Sequence, residues 1–145
     1  MSRTTRTLYL LRQAQLASHA CLERALGELG LTPTQYTVLS LSDRPAPGLS
    51  SAELARRAGV TAQAMGEVIT ALEQKRLIER REAPENRRIL RIALTRGGRS
   101  LLARCDAAVT EAETRFLSVL AKPELEALRA ALIRLRAARE AGPAG

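Results

Sequence analysis

The stretch SAELARRAGVTAQAMGEVIT, residues 51–70, decides the fold. Ala55 is small where two helices would cross closely, and Gly59 stands where the turn between them needs a left-handed backbone. Val60, Met65 and Val68 supply the apolar wedge. These features coincide at the offsets of a helix-turn-helix. Ala-rich helical hairpins can place small residues the same way, so the flanking sequence has to separate the two readings.

Immediately downstream the hydrophobic period shortens. Leu77–Glu82 is short and charged, Ala83-Pro-Glu-Asn86 is turn-like, and Ile89–Leu94 alternates with Leu90, Ile92 and Leu94 on one face. This predicts a β-hairpin. Arg80, Arg81, Arg87 and Arg88 bracket its turn. Such a hairpin beside a helix-turn-helix is a wing, whose guanidinium groups suit the negative potential of a narrow minor groove. The plainer alternative is a solvated hairpin with surface arginines.

Further outward, residues 7–29 contain no proline and carry Leu22, Ala25, Leu26 and Leu29 at helical spacing, with Gly30 as a stop. Thr32 before Pro33 opens a second helix holding Tyr36, Val38, Leu39 and Leu41, which Asp43–Gly48 ends. Ser50 or Ser51 caps a short helix running through Ala58, with Glu53 in its first turn. Thr61 caps a helix whose apolar face is Met65, Val68, Ile69 and Leu72 and which ends near Lys75 and Arg76. Thr95 begins a long helix with the stripe Leu101, Cys105, Ala108, Ala112, Phe116 and Val119. Lys122-Pro123 interrupts it, and Leu125, Leu128, Leu132 and Leu135 mark a last helix that frays after about Arg139.

The fold class expected is therefore mainly α with a small β-hairpin wing: a winged helix-turn-helix flanked by dimerisation helices. A chain of 145 residues suits a single domain, residues 1–145. Within it, 31–96 is the expected DNA-binding region, and 1–30 with 97–145 the dimerisation region.

Composition narrows the function. The net charge is +8, and Lys75 and Lys122 are the only lysines, so the positive charge is almost all arginine. That predicts a polyanionic partner, although an Arg-rich composition bias would also raise the charge. Tyr9, Tyr36 and Phe116 are too few to stack single-stranded bases, which favours duplex DNA. No run approaches the roughly 18 to 20 apolar residues of a membrane span, and the N-terminal stretch lacks a secretory pattern. No membrane partner is expected, and the location expected is cytoplasmic. Cys21, Cys105 and His19 lack the spacing of a zinc site, and no base–nucleophile pair or phosphate-binding glycine loop suggests an enzyme. No metal or cofactor is expected.

Residues 31–102 resemble the MarR family of transcription regulators. The resemblance rests on Leu31, Thr32, Gln35 and Tyr36, on Leu54–Arg57, on Leu72 and Glu73, on Leu77–Arg80, on Asn86–Arg88, and on Leu94–Gly98. There are departures. Asn86 replaces the usual wing Asp, which removes a carboxylate that would hold Arg88. Arg76 replaces a usual glycine, so the recognition helix is expected to end without its left-handed cap. Gly66 and Glu67 stand where Thr and Arg are common.

On the recognition helix Gln63, Ala64, Gly66, Glu67 and Thr70 avoid the apolar face and become candidate groove contacts, with Thr61 at the helix start. Gln63 suits a bidentate adenine contact, Ala64 a thymine methyl, and Glu67 a cytosine amino group. Ser51, Arg56 and Arg57 suit phosphates, and Asn86, Arg87 and Arg88 complete the DNA-binding set at the wing. Any of the helix residues could equally be merely solvent-facing.

The resemblance implies a homodimeric repressor on a pseudo-palindromic operator, its recognition helices about one DNA turn apart, roughly 34 to 36 Å. It also implies a small aromatic or anionic effector bound between the two regions, with Arg12, Gln15, His19 and Tyr36 as lining groups. His19 reads otherwise as a partly buried polar group. Cys105 reads as a packing residue. Cys21, one turn from Arg24, leaves a redox-sensing regulator open, although it lies closer to Leu31 than the reactive cysteine of the family's peroxide sensors. A winged-helix adaptor for protein contacts is a further alternative.

Overall fold

The computed structural model describes residues 5–142. Its elements run α1 (Thr7–Gly27), α2 (Pro33–Ser42), β1 (Leu49–Ser50), α3 (Ser51–Ala58), α4 (Ala62–Gln74), β2 (Ile78–Ala83), β3 (Asn86–Leu94), α5 (Arg96–Phe116) and α6 (Lys122–Glu140). The chain divides into two compact units between Ala112 and Glu113. The first holds the helix-turn-helix and the sheet; the second holds the end of α5 and all of α6.

Local chemistry sets the boundaries. Thr32 and Gln35 form a reciprocal capping box: the Gln35 amide donates to the Thr32 hydroxyl at 3.2 Å, and the Thr32 amide to Gln35 Oε1 at 3.1 Å. Ser50 and Glu53 repeat the device at α3, so Ser50 is the cap and Ser51 the first helical residue. Gly59, at φ 71°, ends α3 in the left-handed conformation expected of it. Thr61 then caps α4 by accepting from the Ala64 amide at 3.0 Å.

The end of α4 corrects an expectation. Arg76 stands in for glycine, yet its φ is 58°, so the left-handed cap survives. The Arg76 amide donates to the Glu73 carbonyl at 2.9 Å and the Leu77 amide to the Leu72 carbonyl at 3.0 Å. These are the paired bonds of a Schellman ending, and they satisfy carbonyls that the helix itself leaves open. A non-glycine residue bears the steric penalty because the bonds need that backbone.

The sheet is three-stranded, in the order β1-β3-β2, and antiparallel. The wing is longer than the hydrophobic alternation indicates, because its charged outer positions pair through the backbone: Arg81 faces Arg91 and Glu82 faces Leu90. Of the apolar face expected on β3, Ile92 and Leu94 are buried, whereas Leu90 is exposed beyond the core's edge. Leu49–Ser50 adds a third strand that two residues could not announce by periodicity.

Leu26, Val38, Leu39, Leu54, Met65, Ile69, Leu72, Ile92 and Cys105 form the fully buried centre of the first unit. Gly98 of α5 packs so closely that an added Cβ would lie 2.0 Å from the Leu77 carbonyl oxygen. On α5 the buried residues are Gly98, Leu102 and Cys105, with Leu101 only half-buried. The helix ends at Phe116, so Val119 falls outside the stripe assigned to it and is exposed.

Candidate nucleic-acid interface

α3 and α4 pack through Leu54, Ala55, Met65, Ile69 and Leu72, all buried. That packing turns the opposite face of α4 outward. Gln63, Glu67 and Thr70 are exposed there, and Ala64 and Gly66 are half-buried. Gln63, Gly66, Glu67, Thr70, Ala71 and Gln74 line an open groove together with Arg80 of β2. Arg80 is held there by its Nε, 3.2 Å from Glu73 Oε2.

Around this face the remaining candidates divide by role. Arg56 and Arg57 are exposed in the last turn of α3, free of the core. Ser51 is half-buried at the first turn of α3. Thr61 already spends its hydroxyl as an acceptor in the α4 cap.

At the wing, Asn86 Oδ1 accepts from the Arg88 backbone amide at 3.0 Å. The amide side chain thus shapes the turn through the backbone, a bond that needs no charge. Arg87 is almost fully exposed, its Nε 3.9 Å from Glu82. Arg81 pairs with Glu79. Arg87 and Arg88 are therefore exposed cations on a projecting ribbon, chemistry suited to a groove lined by phosphates.

Sequence reasoning missed Arg91. Its side chain is only 17% exposed and reaches Glu53, Glu85 and the Gly48 carbonyl. The hydrogen bond from Arg91 holds the Glu85 carboxyl below its ordinary range. Glu53 is lowered first by the Ser50 amide and further by Arg91. Nothing in the β3 alternation marks this residue, because its partners come from the loop before β1, a helix cap and a turn.

The proposed effector-lining residues sit differently from one another. Arg12, Gln15 and His19 share one face of α1 by spacing and are exposed. His19 is not the partly buried group expected: its Nε2 lies 3.0 Å from Glu23 Oε1 on the helix surface. Tyr36 is half-buried and donates to Asp106 Oδ1 of α5 at 2.7 Å. Burial and then the Asp106 carboxylate push its pKa up to about 12. Cys105 is fully buried, and burial raises its thiol, as suits a packing residue. Cys21 is half-buried, with Sγ 3.8 Å from the Ala112 carbonyl. Among the described residues no acidic, His or Cys group clusters as metal ligands do, and no helix is long and apolar enough to cross a membrane.

A capped helix pair followed directly by an arginine-bearing antiparallel ribbon defines a winged helix-turn-helix protein, a DNA-binding class. The MarR family model matches residues 29–89. The transcriptional repressor Rv2887 of Mycobacterium tuberculosis (strain ATCC 25618 / H37Rv) is 39% identical over 116 residues, covering 80% of this chain and 83% of the relative. The repressor CouR, solved on a 23-mer DNA duplex, superposes with a TM-score of 0.83 at 31% identity, covering 90% of this chain and 92% of that one. Rv2887 in complex with p-aminosalicylic acid gives 0.75 at 35% identity, covering 90% and 98%. The chain belongs to the MarR family, and it is a DNA-binding transcriptional regulator.

Proposed function

We propose that this chain is a ligand-responsive repressor that acts as a homodimer on a pseudo-palindromic operator. The observation that carries the reading is the outward face of α4, Gln63 to Thr70, set beside a wing whose Arg87 and Arg88 are exposed. Residues 31–96 form the DNA-binding region. Gln63, Ala64, Gly66, Glu67 and Thr70 meet base edges; Ser51, Arg56, Arg57 and Thr61 meet the backbone; Asn86 sets the wing turn from which Arg87 and Arg88 enter the minor groove.

Residues 1–30 and 97–145 supply the dimer contacts. Leu8, Tyr9, Leu10 and Leu16 of α1 are exposed, as are Leu128, Leu132, Ile133 and Leu135 of α6, and a second copy would remove this apolar surface from water. The regulator works by binding rather than by catalysis, in the cytoplasm. Its effector is a small aromatic carboxylate, a class to which the p-aminosalicylic acid bound by Rv2887 belongs. Arg12, Gln15, His19 and Tyr36 are the lining groups assigned, and differential affinity for two dimer shapes is what releases DNA.

The test is selection of a duplex from a random-sequence library by the full chain, followed by gel-shift titration with and without salicylate. A selected palindromic site bound well above a scrambled duplex, and loosened by salicylate, supports the reading. Equal, weak affinity for both duplexes overturns the operator, and salicylate-insensitive binding overturns this effector class.

A further inference from the structure

Arg91 does something that neither phosphate binding nor core packing explains. The register Ser50↔Arg91 sets it beside the N-terminus of α3, the first helix of the DNA-binding pair. Its Nη1 donates to the Gly48 carbonyl at 3.2 Å and to Glu53 Oε2 at 3.3 Å, while Nη2 donates to Glu85 at the wing turn. Glu53 Oε2 also accepts the Ser50 amide at 2.8 Å, inside the α3 capping box. One guanidinium thus ties together the loop before α3, the cap of α3 and the turn of the wing.

We propose that Arg91 is the positioning residue that sets the reach of the wing relative to the recognition helix, acting through Glu85 and Glu53. The inference rests on the operator reading above. A two-stranded ribbon is a lever: a small change of angle at its base moves Arg87 and Arg88 at its end by more than a groove contact tolerates. Arginine suits the task because its planar fork bonds several oxygens in fixed directions, which an ammonium cannot reproduce.

The arrangement goes beyond stabilising one element, since the three oxygens it joins belong to the loop before β1, the α3 cap and the wing turn. It is poorly suited to contacting DNA directly, since the side chain is 17% exposed, against 89% for Arg87.

The experiment uses the full chain and a fluorescent duplex that the wild-type protein selects. Glu85→Gln keeps the side chain's size and removes one negative charge from the DNA-binding side. Charge alone makes that variant bind more tightly. Positioning reverses the sign, weakening binding about twofold to fivefold, the scale of one partly exposed ion pair. Arg91→Gln weakens binding at least as much, the double variant is no worse than Arg91→Gln alone, and Arg91→Lys does not restore affinity. In an Arg87→Ala/Arg88→Ala background the effect of Glu85→Gln vanishes, because a wing without its cations has nothing left to place. Unchanged or tighter binding by Glu85→Gln overturns the inference, and so does a loss that persists undiminished without the wing arginines. Failure of the wild-type chain to select any duplex overturns the operator reading and this inference with it.

Discussion

The Thr95 hydroxyl donates a 2.7 Å hydrogen bond to the Arg76 carbonyl, joining the end of the recognition helix to the start of α5. The same hydroxyl accepts from the Gly98 amide at 3.0 Å, and the Thr95 amide donates to the Leu77 carbonyl at 3.1 Å. One threonine therefore caps α5 and holds the left-handed ending of α4. The orientation of the recognition helix is fixed at its C-terminal end by these bonds and at its N-terminal end by the turn through Gly59.

That fixed backbone makes Arg76 strained at a known place. Arg76→Gly removes the Cβ penalty of a left-handed residue, about 1 kcal/mol, and gives part of it back as unfolded-chain entropy. The net expectation is a gain of about 0.5 kcal/mol in urea unfolding. Arg76→Val should lose at least about 1 kcal/mol, since branching at Cβ worsens the same clash. A glycine variant less stable than the wild type would show that the arginine side chain contributes more than its backbone costs.

Tyr36 predicts an alkaline effect. Its pKa is raised from the ordinary value of 10.0 to about 12, so the folded state favours the protonated phenol. The associated stability is fully present below pH 10.0 and is lost as pH rises towards about 12. Tyr36→Phe deletes the bond to Asp106 and should cost about 1 kcal/mol at pH 8. In urea titrations at a series of pH values, the gap between wild type and variant should close above pH 10.0. A constant gap would assign the cost to packing alone.

Most of the fold was legible because its signals are local. Gly59, Thr61, Thr95 and the Thr32-Pro33 pair act within one turn of themselves, and the boundaries they imply agree with the structure. What escaped depends on hydrogen-bond partners that the residue type itself does not announce. Arg76 is left-handed because Leu72, Glu73 and Thr95 demand it, although its own residue type argues against it. Leu49–Ser50 is a strand only because Ile92 and Arg91 lie alongside. Among the candidate site residues, exposure on α4 followed from helical phase. The uses of Asn86 and Arg91 did not: Asn86 bends its own turn through the Arg88 amide two residues on, whereas Arg91 takes its partners from the loop before β1, the α3 cap and the wing turn.

The wing yields a prediction through salt. Arg87→Ala and Arg88→Ala remove exposed cations without touching the core, so the unfolding midpoint should stay within error of wild type. Operator affinity should fall, and each lost phosphate contact should flatten the log-log salt dependence by roughly 0.9. Titrations from low to moderate salt measure both quantities. A double variant with unchanged affinity and slope would remove the wing from the interface.

Gly66 sets stability against binding in one substitution. It lies within α4, its φ is not left-handed, and a Cβ added there would meet no heavy atom within 4 Å. The fold has no use for glycine at this position, and glycine in a helix interior costs about 1 kcal/mol relative to alanine. Gly66→Ala should therefore raise unfolding stability by about that amount. The same methyl group would project into the open groove that Gln63, Glu67 and Thr70 line, where the proposed operator complex has its base edges. If the bare backbone is what lets a base edge approach, the variant gains stability and loses operator affinity. Thermal unfolding and gel-shift titration of the same preparation would then move in opposite directions. Gains in both would mean that DNA does not come close to α4 at Gly66, and would shift the base contacts towards Gln63 at the helix's N-terminal end.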